Sequence, residues 1–345
     1  MKTDSEYDKK YDIRLASIDD IPYIMKFLDD HWKKGHIMAT NRKLFEYEYV
    51  HEDEVDFILA IDKNTKKIEA LFGFLRCSKD RNGDIWGSMW MVNDNPDNMK
   101  LLGVELAKRV YSLTGCRSHI GNGANPKTTI PLRKIFFREK TVKMKQYYRL
   151  NADIENYEIA VVKEPWISEK LKDTPVYHLK KIESFKELLN SFDIDSVNGI
   201  PHKDSWYVNH RYFEHPVYHY DIYGIQDQKK ICRAIFVTRS VVIGKSGVLR
   251  IVDYIGDHKM FAGLYDEIGN LISSGNYEYI DFFEYGISDE LIEKAGFKNR
   301  DEFNNIIPNY FEPFVQENID IWAHYKEDGT TFFKADGDQD RPNIV

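Results

Sequence analysis

Apolar and polar positions follow a repeating order along this chain. Residues 11–15 alternate as a strand does, and Ser17 then stands at an N-cap before Ile21, Ile24, Met25 and Leu28, which fall on one helical face. A second helix is predicted over residues 42–50. Three β-rich runs come next, DFILAID from Asp56, KIEALFGFLRC from Lys67 and IWGSMWMV from Ile85, and the turn residues between them predict an antiparallel meander. A helix after Asn98 then leads into CRSHIG from Cys116. Strand, two helices, three strands, helix, strand predicts a mixed sheet with helices on both faces.

The same order returns after a charged, Pro-marked connector, VKEPWISEKLKDTP. VYHLKKI is a strand, SFKELLNSF a helix opened by the capping pair Ser184 and Glu187, and SWYVNHRYF a second helix. The meander recurs as YHYDIYGI, CRAIFVTRSVVI and VLRIVDYI, followed by a helix with Phe261, Leu264, Ile268 and Leu271 on one face and by YEYIDFFEYG. This is a duplication of element order with little residue identity. The expected fold class is α/β (α+β), with two tandem domains that are each a mixed, largely antiparallel sheet flanked by helices. The expected bounds are 1–162, a linker at 163–175, and 176–345, the last ending in a hairpin about the Asp328-Gly329 turn and a tail. A cleft made by two like domains suits a ligand without a second chain, so monomer and homodimer both stay open.

Composition narrows the classes. At 345 residues with 42% hydrophobic and 14% aromatic content the chain can bury two ordinary cores. A net charge of −8 argues against a nucleic-acid coat or a polybasic membrane binder, so a polyanion must be met locally. Cys77, Cys116 and Cys232 lack CxxC spacing and read as reduced thiols. The opening MKTDSEYDKKYD is too charged for a signal peptide, and no apolar run approaches the roughly 20 residues of a membrane span, so the expected location is the cytoplasm.

The candidate chemistry begins at the third strand. The run from Asp84 to Gly115 leaves an apolar strand through a Pro-containing corner and enters a helix whose start reads Lys100, Gly103, Leu106. Unpaired N–H groups and a positive dipole end suit a pyrophosphate there, and backbone amides near Met91 and Val92 suit a pantetheine arm and the oxyanion of a thioester, which is acyl-CoA geometry. Asn125, in GNGANPKT, is a further contact for the arm, although that segment lacks the spacing of a dinucleotide or Walker loop and is expected to be a turn. His36 and Asp94 are the candidate proton relay for amine acylation; the alternatives are a ring that satisfies a loop carbonyl and a carboxylate that caps the helix after Pro96. RKIFFREKTVKMKQYYR, from Arg133 to Arg149, mixes bases and aromatics in a way that suits a nucleotide diphosphate, with Lys143, Tyr147, Tyr148 and Arg149 as binders, or else a solvated basic face over core aromatics. Arg211 and His215 in NHRYFEHP are either acceptor ligands or a packed helix end. Asp336, Asp338 and Asp340 alternate, yet lack the glycine and distal glutamate of an EF-hand, so no metal is expected.

Two resemblances extend this reading. DELIEKAGF, from Asp289 to Phe297, resembles the fourth helix and closing strand of the GNAT acyl-CoA N-acyltransferases, with Ile292 where that superfamily often has an acid tyrosine. Lys100, Gly103 and Glu105 fall where its pyrophosphate loop has Gln or Arg, then Gly, then Gly or Ala. HWKKGHIMATN, WMVNDNPDN, IGNGANPKT, MKQYYRLN and KADGDQDRPN together resemble tandem-domain GNAT N-acyltransferases of bacterial surface-polysaccharide synthesis. That resemblance implies acetyl-CoA or another short-chain acyl-CoA as co-substrate. It also implies, as acceptor, the amino group of a dTDP- or UDP-linked dideoxyamino sugar destined for O-antigen, lipopolysaccharide or capsule. The alternative is a tandem module that has lost catalysis and serves as a ligand-binding or scaffold protein.

Overall fold

The computed structural model describes residues 5–343. The first half runs β1 (Tyr11–Ser17), α1 (Ile21–Phe27), α2 (Arg42–Tyr49), β2 (Glu54–Asp62), β3 (Ile68–Arg76), β4 (Ile85–Val92), α3 (Leu102–Thr114), β5 (His119–Asn122), a short α4 (Thr129–Leu132) that widens into a π turn, and β6 (Lys140–Lys143). The second half runs β7 (Lys145–Leu150), β8 (His178–Ile182), α5 (Phe185–Ser191), α6 (Ser205–Val208), β9 (Asp221–Gln226), β10 (Cys232–Ile243), β11 (Ser246–Gly256), α7 (Tyr265–Ser274), β12 (Tyr279–Tyr285), α8 (Asp289–Lys294) and β13 (Lys298–Asn299). Two strands close the chain, β14 (Trp322–Tyr325) and β15 (Phe332–Phe333). The fold class is the mixed, duplicated α/β architecture that the element order predicts.

The elements form where local chemistry favours them. Ser17 and Asp20 bond reciprocally across the entry to α1, as a capping box does. α3 presents Leu102, Leu106, Ala107 and Val110 at helical spacing, and these pack on Tyr11, Ile58, Ala60, Ala70, Phe72 and Ile85 of the sheet. Gly115, at φ 73°, ends the helix in the left-handed conformation that glycine adopts without a Cβ penalty. In the second half, Phe236, Ile251, Tyr254, Phe261, Ile268, Phe282 and Phe297 build the corresponding core under α7.

Both sheets share one plan. The order β1-β2-β3-β4 is antiparallel, β5 joins β4 in parallel, and β14 then β6 complete that edge. The order β8-β9-β10-β11 is likewise antiparallel, β12 joins β11 in parallel, and β7 then β13 complete the edge. The chain divides into two compact units, the first reaching Val142 and including Trp322–Glu327, the second holding Lys143–Ile321 and Asp328–Arg341. The division thus falls some twenty residues before the 163–175 linker read from the sequence, because Lys145–Leu150 pairs with β12 and not with the strands that precede it. The runs flanking Asp328-Gly329 are no hairpin: β14 pairs with β5, whereas β15 pairs with β12.

The two parallel junctions differ beyond their last paired rung. Pairing of β11 with β12 stops at Ile251 and Phe282, and the gap past that point is filled by the chain itself. Phe333 and Phe332 pair with Glu284 and Tyr285, and the Ala335 N–H donates to Val252 O at 2.8 Å. Phe333 stacks on Phe282 with ring centroids 5.8 Å apart. The insert is anchored by charge, since Asp336 sits 2.5 Å from Lys203 and Asp340 accepts two bonds from Arg239 at 2.9 and 2.6 Å. The alternating aspartates are thereby largely committed to basic side chains, and among the described residues no cluster of three or more His, Cys, Asp or Glu is arranged to hold a metal.

Glu284 lies at this junction, buried, with Oε2 accepting the Ile287 N–H at 2.8 Å. Burial pushes its carboxyl up to about 8 from 4.5. A raised folded value contributes stability that is fully present below the unfolded value and lost as pH rises through the folded one. Glu284→Gln, which keeps an oxygen acceptor, is therefore expected to match the wild-type melting temperature near pH 4.5 and to exceed it by several degrees at pH 9. Parallel curves for the two proteins across that range would show that Glu284 is not held protonated.

Candidate functional site

In the first unit the junction stays open. β4 and β5 pair only at Ile85 with His119, Trp86 with Ile120 and Gly87 with Gly121, after which β4 continues to Val92 against β3 alone. A bulge sets two residues, Ser88 and Met89, opposite Gly73, which turns the upper half of the strand. Strand amides alternate between edges, and the Asn93 N–H donates to Glu69 O on the β3 side at 3.0 Å. The Val92 N–H therefore faces the edge that β5 has left.

The start of α3 meets this edge. Leu101 holds φ 61°, uncommon for a branched side chain, and turns the backbone directly into the helix without a side-chain cap. Among the described residues the Gly103 and Val104 N–H groups have no acceptor, as the first turn of any helix requires of a cap, water or ligand. Gly103 stands in a tight place: an added Cβ would lie 3.0 Å from Trp90 Nε1 and 3.1 Å from Val92 Cγ2. Its carbonyl accepts the Trp90 indole N–H at 2.9 Å. Trp90, Met91, Val92, Leu101, Gly103 and Thr128 are among the residues around a cavity of about 380 Å³. Free strand amides on one side, free helix amides on another and an apolar wall between them make a slot for an extended ligand with an anionic end.

The corner that joins strand to helix is held by asparagine and tyrosine. Asn93 Oδ1 accepts from Asn98 Nδ2 at 2.6 Å, and Tyr11 OH donates to Asn98 Oδ1 at 3.2 Å while accepting the Met99 N–H at 3.0 Å. Tyr7 OH donates to Lys100 O at 2.8 Å. These tyrosines come from the start of the chain, and nothing in their local sequence marks them for the task.

Against Trp90, which lines the slot, packs a buried polar group that the sequence reading missed. His119, Arg133, Glu139 and His324 are each at most 7% exposed. Arg133 Nη1 is 3.5 Å from His119 Nδ1 and 3.6 Å from Glu139 Oε1, and Glu139 Oε2 is 2.7 Å from His324 Nδ1. The guanidinium also covers the Trp90 ring, 4.8 Å from its centroid. Burial, and after it the Arg133 charge, holds both imidazoles well below their ordinary value, so both are neutral near pH 7. A sequence separation of some two hundred residues between His119 and His324 hid the group.

The site residues expected from the sequence fall into three sets. Met91, Val92 and Gly103 line the slot. Lys100 and Asp94 are exposed in the corner beside it, and Asn125 is spent on its own turn, its Oδ1 accepting the Lys127 and Thr128 N–H groups at 2.8 and 3.2 Å. His36 is buried, with Nδ1 accepting the Met38 N–H at 3.1 Å, and so caps the short helix Ile37–Thr40. The Arg133–Arg149 stretch is divided between the two units, and its second part is structural. Tyr147 and Tyr148 are fully buried in β7, Tyr148 OH accepts from Trp166 Nε1 and Asn305 Nδ2, and Arg149 donates to Tyr265 O at 2.7 Å. Side chains so enclosed have no face left for a nucleotide. Lys143 pairs with Asp301 at 2.7 Å, Arg211 donates to Asp340 O at 2.6 Å, and His215 Nδ1 accepts the Tyr218 N–H at 2.9 Å.

At the level of sequence the chain matches no family model and no curated protein. In structure it is similar to a GCN5-related N-acetyltransferase from Anabaena variabilis, with a TM-score of 0.55 and 11% identity over 91% of this chain and 72% of that one. It is equally similar to a conserved protein of unknown function from Enterococcus faecalis V583, with a TM-score of 0.54 and 10% identity over the same shares of each chain. The fold is that of the GCN5-related N-acetyltransferases. The gap between parallel strands that stays open in the first unit is bridged in the second by Phe332–Ala335. Among the described residues no helix is long and apolar enough to cross a membrane.

Because Gly103 is pressed against Trp90 and Val92, Gly103→Leu is expected both to lower the melting temperature and to abolish binding of a ligand in the slot. Gly103→Ala needs the neighbours to give only a few tenths of an ångström, and should lower stability by about 1–3 kcal/mol, the usual cost of overpacking, while weakening binding less. Denaturant titration of the two variants checks the order; equal stability of Gly103→Leu and wild type would refute the close approach.

Proposed function

We propose that the protein is an acyl-CoA-dependent N-acyltransferase whose donor site is the slot of the first unit. The observation that carries this reading is the convergence of the unpaired β4 edge and the free Gly103 and Val104 N–H groups on one cavity of about 380 Å³. An acyl-CoA has the matching parts: a pyrophosphate for the helix start, a pantetheine amide chain for the strand edge, and a thioester for the closed end of the slot. The fold it shares with the Anabaena variabilis N-acetyltransferase supports the same reading. The second unit supports the companion idea of a GNAT module without catalysis, since Phe332–Ala335 stands where a donor would have to enter.

In the reaction an unprotonated amine attacks the thioester carbonyl, and negative charge grows on its oxygen. The Val92 N–H, aimed at the open edge and already oriented by the sheet, is the group to stabilise that charge. For the acceptor we propose the amino group of a dTDP- or UDP-linked dideoxyamino sugar of surface-polysaccharide synthesis. This rests on the segments HWKKGHIMATN, WMVNDNPDN and IGNGANPKT, which the fold brings to the first unit, and not on Tyr147, Tyr148 or Arg149. His36 and Asp94 remain proposals for the relay, although His36 already serves as a cap.

Acetyl-CoA at 100 times its dissociation constant should stabilise the fold by about 2.7 kcal/mol, and a dTDP- or UDP-amino sugar should add to that shift. Val92→Pro deletes one N–H that has no strand partner; it should leave acetyl-CoA affinity within a few fold and lower kcat by about 10²–10³. No thermal shift with acetyl-CoA would exclude the donor, and an undiminished kcat in Val92→Pro would exclude the amide.

A further inference from the structure

We propose that the second unit holds a binding site for a small carboxylate, built around the Arg149 guanidinium in a cavity of about 80 Å³ between β7 and α7. The site lies wholly within residues 143–321 and does not depend on the acyltransferase reading.

Strand alternation sends the side chain there. Tyr147 joins the core under α7, whereas Tyr148 and Leu150 pack into a different cluster, so Arg149, two residues after Tyr147, is directed at the helix. It is 9% exposed, and its guanidinium covers the Tyr265 ring 4.2 Å from the centroid. Nη1 donates to Tyr265 O at 2.7 Å and to Ala295 O at 3.4 Å, carbonyls at the start of α7 and just past the end of α8. Nη2 lies beside Gly269, where an added Cβ would be 3.0 Å from it. The absence of a side chain at this turn of α7 thus leaves the cation its room.

What the group lacks is a counter-ion. Arg239, Arg250 and Arg300 of the same unit each hold a carboxylate. Among the described residues Arg149 is ion-paired with none, and its Nε and Nη2 donate to no protein acceptor. Carbonyls return only part of the hydration that a buried cation gives up, and burial accordingly holds this guanidinium below its ordinary value. The Nε–Nη2 edge is the one through which arginine takes a carboxylate in two parallel hydrogen bonds.

The rest of the lining sets the class of anion. Asn151 is committed, its Oδ1 accepting the Asp153 N–H at 3.0 Å and its Nδ2 donating to Tyr277 O at 2.9 Å, and Ser168 Oγ donates to Gly296 O at 2.8 Å. Ser273 Oγ makes only a long contact of 3.5 Å to Asp153 Oδ2, so its hydroxyl can turn to a ligand oxygen. The exposed Asp153 also lines the cavity, and its charge opposes a dianion twice as strongly as a monoanion. A space of about 80 Å³ equals that of two or three waters, too little for a nucleotide and enough for one small acid. A singly charged carboxylate meets all of these conditions, whereas a phosphate dianion meets the first alone.

Sodium acetate, sodium phosphate and sodium chloride at equal ionic strength are the probes, applied to the full chain labelled with ¹⁵N-arginine. Acetate should shift the Arg149 Nε–Hε signal, assigned by its loss in Arg149→Lys, and saturate it with a dissociation constant of about 1–10 mM, as one charge-assisted pair allows. Phosphate at about pH 8 should bind roughly tenfold more weakly. Asp153→Asn, a change at an exposed position, should tighten acetate by about threefold at low salt, a gain that added chloride screens away. In calorimetry Arg149→Lys, which keeps the charge and loses the fork, should weaken acetate by about tenfold or more. An Arg149 signal that acetate does not move, or that chloride moves equally, means an adventitious ion only and overturns the site. Tighter binding of phosphate than of acetate, or acetate affinity unchanged in Asp153→Asn, overturns the choice of a carboxylate. These outcomes decide the matter in wild type and Asp153→Asn even if Arg149→Lys does not fold.

Discussion

Two parallel strands that part after three paired rungs leave backbone amides without partners, and that vacancy organises each half of the molecule. Buried N–H and C=O groups must be satisfied by something, so a split sheet is stable only if water, a ligand or another segment fills it. In the first unit the split between β4 and β5 remains a slot, walled by Trp90 and met by the uncapped start of α3. In the second, the same geometric problem between β11 and β12 is solved by Phe332–Ala335. The duplicated fold thus presents the same opening twice and uses it for different ends.

The insert that closes the second split is specified by charge as much as by packing. Lys203 lies between Asp253 and Asp336 at 2.6 and 2.5 Å, and Arg239 grips Asp340. Buried ion pairs of this kind are costly to break from one side, because the remaining charge is left without its partner. They fix the register of the last strand, which puts Phe333 into the aromatic core on one face and Lys334 in enclosed surroundings on the other. Lys334 is pushed down to about 7 by that burial, a sign of how little solvent reaches the filled split.

Much of this was legible in the pattern of apolar positions. Strand and helix order, the duplication, the strand-to-helix corner and the place of Met91, Val92 and Gly103 all derive from local periodicity and turn chemistry, which act over a few residues. The part that was not legible depends on pairing between distant residues. Tyr147 and Tyr148 sit in a basic, aromatic stretch that looks solvent-facing, yet β7 lies inside a sheet whose next strand, β12, begins more than a hundred residues later. The quartet of His119, Arg133, Glu139 and His324 is likewise assembled by β14 returning to β5. A histidine at position 36 in a glycine-containing loop was conspicuous, whereas one in the middle of IWAHY was not.

The route of β14 also has a bearing on how the protein is made. Chains emerge from the ribosome N-terminus first, and domains generally fold as they appear. The first unit cannot do so completely, because its sheet lacks Trp322–Tyr325 until all of Lys143–Ile321, which belongs to the second unit, has been synthesised. Until then the outer edge of β5 is bare, Gly121 has no imidazole beside it, and Glu139 faces no His324. The sheet of the first unit is therefore completed only after Lys143–Ile321 has been made, so that a nascent chain ending before Trp322 carries the strands and helix around the slot without the strand that flanks β5.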